Sequence, residues 1–152
     1  MRKVLVPVLL GLTTLVIAIA GGGCNSTAGV TQTTTPTITS ASQGIHDISV
    51  AEAYALIQEN KANPDFKIID IRTPEEYAAG HLEDSTLIDY YAENFKAELG
   101  KLDRVKSYLI YCRTANRSGQ ARDIMKGMGF LSVYNMEGGI VAWQAAGYAV
   151  VQ

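Results

Sequence analysis

Leu109-Ile110-Tyr111-Cys112-Arg113-Thr114-Ala115-Asn116-Arg117-Ser118 is the stretch whose reading decides the fold. The run Tyr108 to Tyr111 reads as a buried strand. It stops at a cysteine, crosses a short polar segment and enters a helical pattern in which Ala121, Ile124, Met125 and Met128 share one face. Cys112 therefore stands where a strand hands over to a helix. Backbone N–H groups at such a junction lack intrahelical partners and carry the positive end of the helix dipole, so they can hold an anion or stabilise a thiolate. Free cysteine usually packs as a small hydrophobe. Here Arg113 and Arg117 flank the loop and no acidic residue lies between Cys112 and Arg122, company that favours an acidic, nucleophilic thiol.

Outward from that stretch, strand and helix patterns alternate from Ile45 to the end of the chain, the signature of an α/β domain with a mainly parallel sheet. A strand over Ile45 to Ile48 leads to Ser49-Val50-Ala51-Glu52, a capping box opening a helix to about Asn60. Phe66 to Ile71 reads as a buried strand. Thr73-Pro74-Glu75-Glu76 combines a second capping box with proline at the first helical position, and Gly80 ends that helix. Thr86 to Ile88 is a third strand, and Ala92, Phe95 and Leu99 mark a helix closed by Gly100. Tyr108 to Tyr111 and Val133 to Met136 complete five strands; the helices Asn116 to Met128 and Gly139 to Ala146 follow them. No internal repeat is visible.

In open α/β sheets ligands bind beyond the carboxyl ends of the strands. Three such ends carry polar residues: Asp70 with Arg72, Cys112, and Asn135-Met136-Glu137-Gly138-Gly139. Asp70 and Arg72 read as an ion pair bracketing the loop and not as chemical participants. His81, after a helix-ending glycine, reads as structural; His46 at the domain edge reads as solvated; Trp143 reads as core. No spacing of His, Cys and acidic groups resembles a metal site, and no cofactor motif is present.

These segments resemble the rhodanese family of single-domain sulfurtransferases. Tyr111-Cys112-Arg113-Thr114-Ala115-Asn116-Arg117-Ser118 is similar to the family's active-site loop. Ile69-Asp70-Ile71-Arg72-Thr73-Pro74-Glu75-Glu76-Tyr77 with Gly80-His81 resembles its first signature. Glu137-Gly138-Gly139-Ile140 with Ala142-Trp143 and Gly147-Tyr148 resembles its last. The resemblance implies a three-layer domain over residues 44–152, a five-stranded sheet with helices on both faces, and a persulfide carried on Cys112. Arg113, Thr114, Ala115, Asn116 and Arg117 would bind the substrate, and Asp70 and Arg72 would support the loop. Four residues separate Cys112 from Arg117; rhodanese-related phosphatases need one more, because phosphate requires a wider cradle than a single sulfur. Ala115 stands where many members carry glycine, and a positive φ there would strain an alanine.

The remainder of the 152 residues is N-terminal. Arg2 and Lys3 precede an apolar run from Val4 to Ala20, and Gly21-Gly22-Gly23-Cys24 closes it, an export-signal pattern over residues 1–23. The run carries Pro7 and is short for a membrane span. Cysteine after small residues resembles a lipobox, with Cys24 lipidated and anchoring the chain to a membrane, although Gly21 replaces the usual leucine. Ala18-Ile19-Ala20 offers ordinary cleavage and a secreted, soluble product instead. Residues 24–43, rich in Thr and Ser and without charge, read as a tether. With Cys24 lipidated, Cys112 is the only thiol of the mature chain. A net charge of -2 and a pI near 5.6 give no support for nucleic-acid binding.

The chemistry the resemblance implies is double displacement without a cofactor. Cys112 takes sulfur from a small sulfur-containing anion such as thiosulfate and passes it to cyanide, a thiol or a protein acceptor. A tethered sulfane-sulfur carrier or interaction module with little small-molecule turnover is the rival reading; the short loop disfavours a phosphatase. Either sulfur chemistry requires a sulfur atom that a small anion can reach.

Overall fold

The computed structural model describes residues 44–152. The signal segment expected over residues 1–23, the tether expected over 24–43 and the lipidation expected at Cys24 fall outside the described residues. Strands β1 (Ile45–Ile48), β2 (Phe66–Asp70), β3 (Ser85–Leu87), β4 (Ser107–Tyr111) and β5 (Ser132–Met136) alternate with helices α1 (Val50–Glu59), α2 (Pro74–Ala78), α3 (Phe95–Gly100), α4 (Asn116–Gly127) and α5 (Gly139–Ala145). All strand pairs are parallel, in the order β1-β5-β4-β2-β3, so the strand that ends at Cys112 is central.

Alternation along the strands divides two cores between the sheet faces. Phe66, Ile68, Leu109, Tyr111, Tyr134 and Met136 meet Ala53 and Leu56 of α1 and Ile140 and Trp143 of α5 on one face. On the other, Ile69, Tyr108, Ile110 and Val133 meet Phe95 and Leu99 of α3 and Ala121 and Met125 of α4. The domain thus has three layers. Trp143 is buried in the first core, and its indole N–H donates to the Ala149 carbonyl at 2.9 Å.

Both capping boxes form: Ser49 with Glu52 opens α1, and Thr73 with Glu76 opens α2 at Pro74. Several boundaries differ from the sequence reading by a residue or more, and three of them have a local cause. The Phe66 strand stops at Asp70, whose carboxylate turns back to accept the Arg72 backbone N–H at 2.9 Å. The third strand begins one residue early, because Ser85 is tied by its hydroxyl to the Leu82 carbonyl at 2.7 Å. Helix α3 starts at Phe95 and leaves Ala92 outside; Asp89 accepts the Tyr91 N–H at 2.9 Å and holds that approach as a turn. Among the described residues no helix is long and apolar enough to cross a membrane.

Asp70 and Arg72 lie beside the end of β4, since Asp70 pairs in register with Tyr111. They form a buried ion pair, Arg72 Nη2 to Asp70 Oδ2 at 2.6 Å, and the same Nη2 donates to the Gly80 carbonyl at 2.7 Å. The pair joins β2 to the end of α2. Removing one charge strands the other in the core, so Asp70→Ala is expected to lower stability by about 3 kcal/mol or more, and the double replacement Asp70→Ala/Arg72→Met to recover much of it. Denaturant unfolding measures both; a cost of less than about 1 kcal/mol for the single variant would contradict the bracket.

Candidate active site

The site is built where three parts of the backbone meet. Helix α5 begins at Gly138-Gly139, both with left-handed φ (72° and 59°), and this brings its first free N–H groups onto the carbonyls that follow β4. The Ile140 N–H donates to the Cys112 carbonyl at 2.9 Å, and the Val141 N–H to the Arg113 carbonyl at 3.2 Å. The approach is so close that a Cβ on Gly139 would stand 2.4 Å from the Cys112 carbonyl oxygen, so only glycine fits there. The Arg113 carbonyl and the Thr114 N–H belong to one trans peptide and point in opposite directions. Holding that carbonyl on α5 aims the Thr114 N–H back toward the cysteine.

From there Ala115, φ 73°, reverses the chain into α4. The first helical hydrogen bond runs from the Gly119 N–H to the Ala115 carbonyl at 2.9 Å, leaving the N–H groups of the first turn unpaired within the helix. Those of Arg117 and Ser118 serve the Cys112 sulfur, and the Ser118 hydroxyl donates to Sγ at 3.6 Å. Burial pushes the Cys112 thiol up, but the Ser118 hydroxyl and the backbone N–H groups of Ser118, Thr114 and Arg117 more than offset this and hold it below the ordinary thiol value. The arrangement is a thiolate cradle made chiefly of backbone.

Arg117 has a partner that the sequence reading does not name. Arg117 places Nη1 on Glu76 Oε2 at 2.7 Å and Nη2 on Glu76 Oε1 at 2.8 Å, with its guanidinium 5.5 Å from the Tyr91 ring centre. The Arg117 hydrogen bonds draw the Glu76 carboxyl down to about 2. Arg113, Thr114 and Asn116 are exposed along the loop, so Arg113 faces the solvent through which an anion arrives. Cys112 itself is 1% exposed. The thiol is recessed on the loop floor.

Sequence reasoning brought Cys112, Arg113, Thr114, Ala115, Asn116 and Arg117 to one loop and Asp70 with Arg72 beside it, and the structure places them so. It missed two residues. Ser118 is fully buried against the sulfur, a position signalled by its place in the first turn of the helix leaving the cysteine. Glu76 reads from the sequence as part of a capping box and of the first signature, while its pairing with Arg117 depends on a residue 41 positions later. His81 stacks on Tyr77 at 3.7 Å and its Nδ1 lies 3.1 Å from the Tyr77 carbonyl oxygen, as a structural residue. Among the described residues no group of three or more His, Cys, Asp or Glu is placed to hold a metal ion.

Two substitutions test the cradle. Ser118→Ala removes a donor to the thiolate, so the pH midpoint for alkylation of Cys112 by iodoacetamide should rise and the rate at neutral pH fall about tenfold; an unchanged profile would deny the hydroxyl its part. Ala115→Gly relieves a left-handed alanine and is expected to stabilise the domain by about 1 kcal/mol in denaturant unfolding, where destabilisation would argue against the φ assigned here.

A family model described as rhodanese-like domain matches residues 49–146. The chain is 29% identical over 104 residues to a sulfurtransferase of Allochromatium vinosum, covering 68% of this chain and 95% of that protein. It is 33% identical over 98 residues to the thiosulfate sulfurtransferase GlpE of Pseudomonas entomophila, covering 64% and 84% respectively. It also matches longer curated proteins, of which it spans 19% to 46%. A rhodanese-related protein from Thermoplasma volcanium superposes with a TM-score of 0.60 at 29% identity, over 70% of this chain and 97% of that one. The family-model match over residues 49–146, together with relatives matched nearly end to end, makes this chain a member of the rhodanese-like domain family.

Proposed function

We propose that the chain is a sulfurtransferase in which Cys112 carries sulfane sulfur from a small anion such as thiosulfate to cyanide or a thiol. The observation that carries this reading is the set of donors converging on Sγ, from the Thr114, Arg117 and Ser118 backbone and the Ser118 hydroxyl. Relatives named as sulfurtransferases support sulfur transfer as the general chemistry. The four-residue spacing from Cys112 to Arg117 suits one sulfur atom better than a phosphate.

In the first half-reaction the Cys112 thiolate attacks the outer sulfur of thiosulfate. A bond forms between the two sulfurs, the original S–S bond breaks, and sulfite leaves with its electron pair. Arg113, exposed on the loop, meets the sulfonate end. The outer persulfide sulfur then takes the anionic charge, and the amides that held the thiolate are placed to hold it. In the second half-reaction the acceptor attacks that sulfur and Cys112 departs as thiolate, giving thiocyanate from cyanide or a new persulfide from a thiol. Asp70 and Arg72 act only by fixing the loop. With residues 1–23 as an export signal and Cys24 as a lipid anchor, the reaction would take place outside the cytoplasm at a membrane surface.

The recessed thiol favours one second reading, a sulfane-sulfur carrier that hands sulfur to a docked protein acceptor and turns over slowly on small molecules. Steady-state rates separate the two, since a carrier loads one sulfur and stalls. The proposal predicts ping-pong kinetics, a gain of one sulfur at Cys112 in intact mass after thiosulfate treatment, and loss of thiocyanate formation by at least about 1000-fold in Cys112→Ser. Undiminished turnover in Cys112→Ser would overturn it.

A further inference from the structure

We infer that Glu76 is a specificity-determining residue: by engaging both Nη groups of Arg117 it withholds that guanidinium from the Cys112 cradle, so that the loop accepts sulfur and turns away tetrahedral oxyanions. This rests on the sulfur-transfer reading above and adds to it which anions are excluded.

Arg117, the last arginine of the loop, gives its backbone N–H to the cysteine, while both of its Nη groups are bonded to Glu76, near enough to Cys112 for the two charges to interact. Both of its bonds to Glu76 are short and charge-assisted, in the fork geometry that fits a carboxylate best. The pair is largely withdrawn from water, with side chains 13% and 29% exposed, and Tyr91 flanks the guanidinium. Glu76 is ionised throughout the neutral range, so the pair is neutral as a unit. What remains to greet an anion is the backbone cradle at the floor and Arg113 at the exposed loop.

That division of charge discriminates by the shape of the anion. Thiosulfate brings its sulfane sulfur to the floor and leaves its sulfonate outside, where Arg113 lies. Phosphate has no such division: with one oxygen in the cradle its other charged oxygens crowd the rim, and the second guanidinium that could meet them beside Arg113 is one that Glu76 already holds. Releasing Arg117 should therefore add affinity for phosphate without being needed for sulfur loading.

Glu76→Gln isolates this effect, because Glu76 also closes the α2 capping box through the Thr73 N–H, and glutamine fills that position equally well. The experiment follows protection of Cys112 in the full chain from iodoacetamide by inorganic phosphate. Wild type should show little protection, and Glu76→Gln should bind phosphate at least about tenfold more tightly. The double variant Glu76→Gln/Arg117→Gln should lose that gain, which a general loosening of the fold would not. If Glu76→Gln does not fold, Glu76→Asp, which keeps the charge but is too short for the fork, should show an intermediate gain. Equal phosphate affinity in wild type and in the folded variant, or a gain that survives loss of Arg117, would overturn the assignment. Intact mass after thiosulfate treatment keeps the two readings apart. Wild type that takes up no sulfur defeats the sulfur-transfer reading, whereas sulfur uptake without a phosphate gain in the variant defeats only the role given to Glu76.

Discussion

Two hydrogen bonds from the start of α5 to the carbonyls of Cys112 and Arg113 are the constraint on which the site depends. A carbonyl fixed on one side of a planar peptide fixes its N–H on the other. Capture of the Arg113 carbonyl by Val141 thereby aims the Thr114 N–H at the sulfur, and the unpaired first turn of α4 supplies the remaining donors. The contact exists only because residue 139 has no Cβ to strike the loop backbone. The loop after Cys112 is thus fixed on α5 through backbone groups alone.

The rest of the fold keeps those pieces in register. Strand β4 is central in the sheet and buried on both faces, with α1 and α5 packed on one side and α3 and α4 on the other. The buried Asp70–Arg72 pair holds the neighbouring strand end, and Glu76 carries that support across to the loop through Arg117. The left-handed Ala115 is a local strain that this surrounding structure maintains where the chain must turn from strand to helix.

Much of this was legible in the sequence, and for local reasons. Ser49 with Glu52 and Thr73 with Pro74 and Glu76 announce helix starts that depend on three or four residues each. The apolar run ending at Cys112 announces a central strand, because only a strand covered on both faces is apolar throughout. What stayed hidden depends on residues distant in the chain. Glu76 satisfies a capping box so well that its pairing with Arg117 left no trace in the sequence. Ser118 looks like an ordinary polar residue on a helix until the fold turns it onto the sulfur. Backbone N–H groups at the strand-to-helix junction are expected to favour the thiolate alongside the arginines; the backbone part is local and legible, whereas the pairing of Arg117 with Glu76 is not. A flanking charge says nothing of which partner will claim it.

Burial opposes ionisation of Cys112, and only the converging donors reverse that balance. The most direct measurement is a pH titration of the Cys112 thiolate by its ultraviolet absorbance in the intact domain. The account predicts a midpoint below that of an ordinary cysteine, and a midpoint at or above the ordinary value would contradict it.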